Sequence, residues 1–362
     1  MRVKLEDVCE RGSSNLKLSD VQGMSGEYPI YGASGYIGNA NFYHQEQAYV
    51  AVIKDGAGIG RTTLHPAKSS VIGTMQYLIP KDNVLPGYLF YVVSYMHLEK
   101  YFSGATIPHI YFKDYKNEKF NLDPLEKQTE IVNTLGRCEK IIEIRKQELQ
   151  KLDALIKARF VELFGDPVLN PHEWAKPELS DLADLKIGPF GSLLHKEDYI
   201  EGGHPLVNPS HIVDGRITID PKLTVSDEKY EELSAYQLKV GDVVMGRRGE
   251  MGRCAVVEEE GLLCGTGSLL IRPKGKVTAD YIQKIISYPT FKKTIEDMAV
   301  GQTMPNLNVP IVSGFRIISP PIEVQNSYYD FIAQVNKSKV AVQKSLDETQ
   351  LLFDSLMQKY FG

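Results

Sequence analysis

Two short glycine-bearing stretches are the first places where this 362-residue sequence could do chemistry. One is VIKDGAGIGR, Val52 to Arg61, with glycines at 56, 58 and 60. A dinucleotide fingerprint needs G-x-G-x-x-G between a strand and a helix, and a phosphate-binding P-loop needs G-K-[ST] at its end. The spacing here is G-x-G-x-G, and TTLHPAKSSVIG after Arg61, rich in β-branched residues, predicts another strand. The other is GRRGEMGR, Gly246 to Arg253, which aligns with the first but keeps only one of its glycines in place and adds Arg247, Arg248 and Arg253. A cradle of backbone amides is therefore not the shared feature, and the glycines predict a turn between strands. Cys9, Cys138, Cys254 and Cys264 form no C-x-x-C pair, which points to buried thiols rather than to a zinc site or a disulfide framework.

The elements that must position these turns come in duplicate. NLDPLEKQTEIVNTL (121–135) lies over ISPPIEVQNSYYDFI (318–332), matching Pro124 with Pro321, Glu126 with Glu323 and Gln128 with Gln325. The same offset lays ATIPHI (105–110) over QTMPNL (302–307) and ELFG, ending at Gly165, over QKYFG, ending at Gly362. At shorter offsets Gly60-Arg61 matches Gly252-Arg253, Gly73-Thr74 matches Gly265-Thr266, and YPIYGAS matches HPLVNPS. A repeat of this size implies two copies of one unit with one job. The extra residues of the second copy fall mainly in DPKLTVSDEKYEELSAYQLKVGD, 220–242.

Each copy opens with a mixed α/β part. AYVAVIK, TMQYLIP, GDVVMGR, RCAVVEEE and SLLIRP predict strands, while PGYLFYVVSYMHLEKYF and TADYIQKIISYPTFKKTIEDM predict helices. Each copy closes with a long helix after Pro124 or Pro321, apolar at steps of three and four: Ile131, Leu135, Cys138, Ile142, Leu149, Leu152, Ile156 and Leu163, then Tyr328, Ile332, Val335, Val342, Leu346, Phe353, Leu356 and Tyr360. Nearly forty residues at 1.5 Å each make a rod of about 57 Å, longer than a small domain is wide. The seam predicts an antiparallel coiled coil whose polar members, Arg145 and Lys339, meet near mid-length and help set register. The expected organisation is a first domain over 1–124, a helix over 125–164, a linker over 165–173, a second domain over 174–321 and a helix over 322–362. Trp174 is expected to anchor the core at the entrance of the second domain.

Composition sets the outer bounds. A hydrophobic fraction of 43% is that of a folded protein, and the sequence offers no leader and no apolar run long enough to span a bilayer, so a cytoplasmic protein without membrane contact is expected. The net charge of −5 argues against a chain that grips nucleic acid alone through phosphate neutralisation.

Two divergent α/β domains, each followed by a helix ending in LFG or YFG and joined to it by DPLEKQ or PPIEVQ, resemble the specificity subunit of type I restriction–modification systems. The resemblance spans the whole chain and rests on those junctions, the ELFGDP…NPHEW linker, the GPFGS stretch ending at Ser192, and a G-x-T-x-P motif before each junction. The chain departs from the pattern at Asp123, where a proline is expected, and in a first domain without GPFGS. The resemblance implies an α+β fold: two target recognition domains, each reading half of a bipartite double-stranded DNA sequence, held by two antiparallel spacer helices. It also implies docking of methylation subunits, two per chain, and association with restriction subunits. No cofactor is expected on this chain; S-adenosylmethionine belongs with the methylation partner, and ATP and Mg with a restriction partner. Catalysis of adenine methylation and cleavage is expected in those partners.

Sequence information resides in side chains that reach base edges. The candidates are Arg61, Thr106, His109, Tyr111 and Lys113 in the first domain, and Ser192, Arg247, Arg248, Arg253, Gln302, Thr303, Asn306 and Asn308 in the second. Two other classes compete with this reading. SPPI, Ser319 to Ile322, is similar to the catalytic loop of DNA adenine methyltransferases but lacks the aromatic residue that stacks on a flipped base. A coiled-coil scaffold without a DNA role is the other.

Overall fold

Two helices of 40 residues each, Leu125–Phe164 and Ile322–Phe361, begin directly after Pro124 and Pro321. A computed structural model describes residues 1–103, 108–299 and 306–362. They divide into unit 1, residues 1–150 with 340–362, and unit 2, residues 151–339. Each long helix gives one part to each unit.

Unit 1 is built on a four-stranded antiparallel sheet in the order Cys9–Ser13, Met75–Pro80, Tyr49–Ile53, Thr62–His65. Every residue of Tyr49–Ile53 is buried, since both faces of the strand are covered. Val50 and Val52 pack with the Pro86–Tyr95 helix, while Tyr49, Ala51 and Ile53 pack with Tyr77 and Met75 on the other side. A smaller sheet joins Gly35–Ala40, Tyr28–Gly32 and Ser70–Val71, the last pair parallel. In the helical layer Ile131 and Leu135 pack with Met357, Phe353 and Tyr360, so the front of the first long helix meets the rear of the second.

Unit 2 repeats this plan. Its main sheet runs Ala183–Ile187, Ser268–Pro273, Val243–Gly246, Cys254–Val256, and its second sheet again ends in a parallel pair, His204–Val207 with Leu263–Cys264. In the 220–242 stretch, Thr224–Val225 pairs with His204–Pro205 as Asn39–Ala40 pairs with Tyr28–Pro29, and the helix Asp227–Glu232 follows it. Phe160 and Phe164 pack edge-on against Tyr328, giving the same antiparallel helix contact as in unit 1. Phe160, only 1% exposed, lies beside the expected seam rather than on it.

Local punctuation shortens three of the predicted elements. The helix expected from Pro86 onward ends at Tyr95, because His97 takes a left-handed φ of 51°, and a short 3-10 turn, Leu98–Tyr101, follows. The 278–298 stretch is two helices, Ala279–Ile286 and Pro289–Met298, since Pro289 has no N–H to continue the first. The strand expected after Arg61 is two short ones, Thr62–His65 and Ser70–Val71, separated by Pro66 and by Lys68 at φ 54°.

The polar seam residues find separate partners. Lys339 pairs across the helices with Asp153 at 2.6 Å, whereas Arg145 pairs along its own helix with Glu148. At the linker, Asn170 receives the Trp174 N–H at 2.9 Å and donates to the Trp174 carbonyl at 2.8 Å, and the Trp174 ring packs partly buried against the unit 2 core.

Candidate nucleic-acid interface

In unit 1 the glycine turn is closed by its own backbone. The Ile53 N–H donates to the Arg61 carbonyl at 3.0 Å and the Gly60 N–H to the Ile53 carbonyl at 2.9 Å. Gly56, Gly58 and Gly60 all hold φ between 80° and 84°, the left-handed region that the turn requires. At Gly60 a side chain would also collide with backbone, because a Cβ would sit 2.5 Å from the Glu99 nitrogen.

This turn meets the segment that follows the G-x-T-x-P motif. The Ile110 N–H donates to the Lys54 carbonyl and the Gly56 N–H to the Pro108 carbonyl, each at 3.0 Å. His109 Nδ1 lies 2.7 Å from the Asp55 carboxylate, which Lys54 also contacts. Burial pushes the Asp55 carboxyl up, but hydrogen bonds from Lys54 and His109 outweigh it and hold the group below its usual value. Tyr111 is exposed and lies nearly parallel to His109, with Lys113 Nζ 5.2 Å from the Tyr111 ring centre.

Unit 2 makes the same junction with other side chains. The Gly246 N–H donates to the Arg253 carbonyl at 2.8 Å, and the Leu307 N–H to the Arg247 carbonyl at 2.9 Å, at places aligned with Ile53, Arg61, Ile110 and Lys54. Arg248 bridges to Asn306 as Asp55 does to His109. Arg248 is exposed and Arg247 half-buried. Arg253 donates to the Pro209 carbonyl at 3.1 Å and to Glu250 at 2.8 Å, and Lys292 reaches Glu250 from the far side at 2.9 Å. Hydrogen bonds from Arg253 and Lys292 bring the Glu250 carboxyl down to about 2.

The structure thus assembles most of the sequence-derived candidates into one turn-and-segment pair per unit. Arg61 sits at the end of the first turn, and its guanidinium donates to the Ala33 carbonyl. Asn308 caps the Val309–Ser313 helix, accepting the Ile311 N–H at 2.9 Å. Ser192 stands on a separate exposed 3-10 turn, Gly191–Leu193, beside Phe190, which is 61% exposed. Thr106, Gln302 and Thr303 lie outside the described residues. Spacing gave no sign of Asp55, Ala33 or Pro209, whose partners His109, Arg61 and Arg253 are remote in sequence, nor of Lys54, whose carbonyl accepts the Ile110 N–H; Glu250 stands three residues from Arg253 within one turn. The SPPI tetrapeptide is a helix entrance: the Ser319 N–H donates to the Ala175 carbonyl, and the Pro320 carbonyl accepts from Gln325.

A family model described as the type I restriction modification DNA specificity domain matches residues 1–154 and again 171–349. Among curated proteins, the chain is similar to the type I restriction enzyme MjaVIII specificity subunit of Methanocaldococcus jannaschii, 21% identical over 309 residues, which cover 79% of this chain and 72% of that protein. It is also similar to the EcoBI specificity subunit of Escherichia coli, 20% identical over 76% of this chain and 62% of that one. Among solved structures, the S subunit of a type I restriction–modification system from M. genitalium superposes with a TM-score of 0.61 at 15% identity, covering 100% of this chain and 96% of that one. The HsdS subunit from Thermoanaerobacter tengcongensis gives 0.53 at 16%, with the same coverage. At these identities the structural matches show a shared fold.

Proposed function

The chain belongs to the family of type I restriction–modification DNA specificity proteins, and from that premise we propose that it reads a two-part DNA target, one half-site per unit, for partner subunits that methylate and cleave. The observation that carries this reading is the repeated junction of turn and segment. Two of its backbone bonds and one bridge recur in both units, Ile53 to Arg61 and Ile110 to Lys54 in one, Gly246 to Arg253 and Leu307 to Arg247 in the other, while its side chains differ: Lys54, Asp55, His109, Tyr111 and Lys113 in one, Arg247, Arg248 and Asn306 in the other. A constant frame with variable polar tips is what reading two different half-sites needs, because backbone geometry places a loop and side chains choose bases.

The partners follow from the same duplication. The long helices leave Val340 and Leu351 71% exposed, with Ile141, Ile144 and Leu155 also uncovered. Apolar residues in such number on a helix pair favour burial by other proteins. Two equivalent junctions favour two methylation subunits per chain, with restriction subunits joining the assembly. Those partners would bring S-adenosylmethionine, ATP and Mg, perform the catalysis in the cytoplasm, and supply much of the positive charge that a chain of net charge −5 lacks. No helix among the described residues is long and apolar enough to cross a membrane.

Methylome sequencing of cells carrying a chimaera tests the mapping. Replacing residues 174–321 by the matching domain of another specificity subunit should change one half of the methylated motif and keep the other. Change in both halves would refute one unit per half-site, and unaltered methylation would favour a scaffold without a reading role.

A further inference from the structure

Arg61 and Arg253 are aligned between the two copies, and so are Ala33 and Pro209, which fall at the same place in YPIYGAS and HPLVNPS. In each unit the aligned arginine donates to the aligned carbonyl, Arg61 to Ala33 and Arg253 to Pro209. Each arginine also closes its turn, through its own carbonyl, onto the last residue of the neighbouring strand. The glycine before it lets the turn come close to the next element: a Cβ at Gly60 would strike Glu99 backbone at 2.5 Å, and one at Gly252 would strike Lys292 at 2.8 Å and the Ile286 carbonyl at 3.1 Å.

We propose that Arg61 and Arg253 are positioning residues for base recognition: each guanidinium ties the reading turn to the loop after the first strand of the parallel pair in the second sheet, fixing the distance between two loops that face one half-site. The inference rests on the DNA-reading function proposed above and assigns these two arginines away from direct contact with DNA. A planar guanidinium suits the task, since it can donate in two directions at once. Arg253 does so, to Pro209 and to Glu250, with its side chain only 33% exposed. The same bond kept in both copies, between loops whose other residues have diverged, is what a geometric role predicts; a residue that reads a base would vary with the base.

Two measurements test this on the full-length chain. Hydrogen exchange of the free protein should show faster exchange at Gly246, Leu307 and His211 in Arg253→Ala than in wild type, with the denaturation midpoint little changed; unchanged exchange would overturn the staple. In the complex with methylation subunits, binding to duplexes carrying the methylated motif should lose about tenfold in discrimination, spread over several positions of one half-site. The salt dependence of log Kd should stay as in wild type. A slope lowered by about 0.9, or relaxation at a single base pair, would mean that Arg253 touches a phosphate or a base and would overturn the proposal. Arg253→Lys keeps a charge but not the two-way fork, so it should behave like Arg253→Ala, and full rescue would count against the staple. A wild-type complex that discriminates no motif would instead overturn the DNA-reading function, while the exchange result still decides the staple.

Discussion

The side-chain amide of Gln325 accepts the backbone N–H of Thr278 at 3.0 Å, across 47 positions of sequence, and donates to the Lys276 and Pro320 carbonyls. Gln128 makes the equivalent set in unit 1, accepting from Leu85 at 2.8 Å and donating to Asn83 and Asp123. Both glutamines are fully buried. Thr278 and Leu85 are the residues at which the Ala279–Ile286 and Pro86–Tyr95 helices begin, so each junction glutamine locks the start of a domain helix to the entrance of a long helix. Gln325→Leu should destabilise unit 2 by at least about 1–3 kcal/mol, the cost of one stranded buried polar group. Gln325→Glu should cost more, because a carboxylate would face two carbonyls. Urea denaturation checks both, and a Gln325→Leu variant as stable as wild type would remove the lock.

Arg248, unlike Arg253, is exposed. If it reads a base, Arg248→Ala should cost about 1–3 kcal/mol of binding and relax one position of one half-site. If it meets a phosphate, all sequences should weaken alike and the salt slope should fall by about one unit. Titrations at several salt concentrations separate the two, and indifference to both would take Arg248 out of the interface.

Glu250 gives the staple a pH dependence. Its carboxyl is held at about 2 in the folded chain against an ordinary 4.5, first by the Arg253 hydrogen bond and then by Lys292. A carboxyl depressed on folding stabilises fully above its unfolded value and loses that contribution as pH falls through the folded one. The stability advantage of wild type over Glu250→Gln should therefore be constant above pH 5 and fade between about 4.5 and 2. The group is half exposed, so the advantage should stay within about 1 kcal/mol. Parallel pH profiles for the two proteins would contradict the assignment.

Spacer length offers a separate test. Adding seven residues to each long helix, after Gln147 and after Lys344, preserves the seam. The helices would lengthen by about 10.5 Å, or roughly three base pairs. Methylation of the original motif with its original spacing, at full efficiency, would show that the helices do not set the distance between half-sites.

The duplication is legible in the sequence because its markers are residues whose chemistry allows few substitutes. Pro124 and Pro321 must start helices, Gln128 and Gln325 must satisfy three backbone groups in a buried place, and Gly60 and Gly252 must leave room for backbone. The meeting of Asp55 with His109 is not legible, since nothing local in either segment requires the other. Nor is the partner of Arg61 or Arg253: a guanidinium at a turn looks alike whether it donates to a carbonyl or to DNA. The seam hides Phe160 because that ring packs into the domain core beside the helix pair. Helix ends at His97 and Pro289 are set by single residues inside otherwise continuous apolar patterns.

Unit 1 takes its last part, residues 340–362, from the far end of the chain. Phe353, Met357 and Phe361 cover Tyr88, Tyr91 and Leu135 in its core. On a ribosome the strands made first must therefore wait while residues 151–339 are synthesised, roughly ten to forty seconds at about 5–20 residues per second. Unit 2 is complete before that wait ends. The unit begun first is thus the last to receive all its parts, and a premature stop beyond residue 339 would spare the newer half of the protein while leaving the older half unsealed.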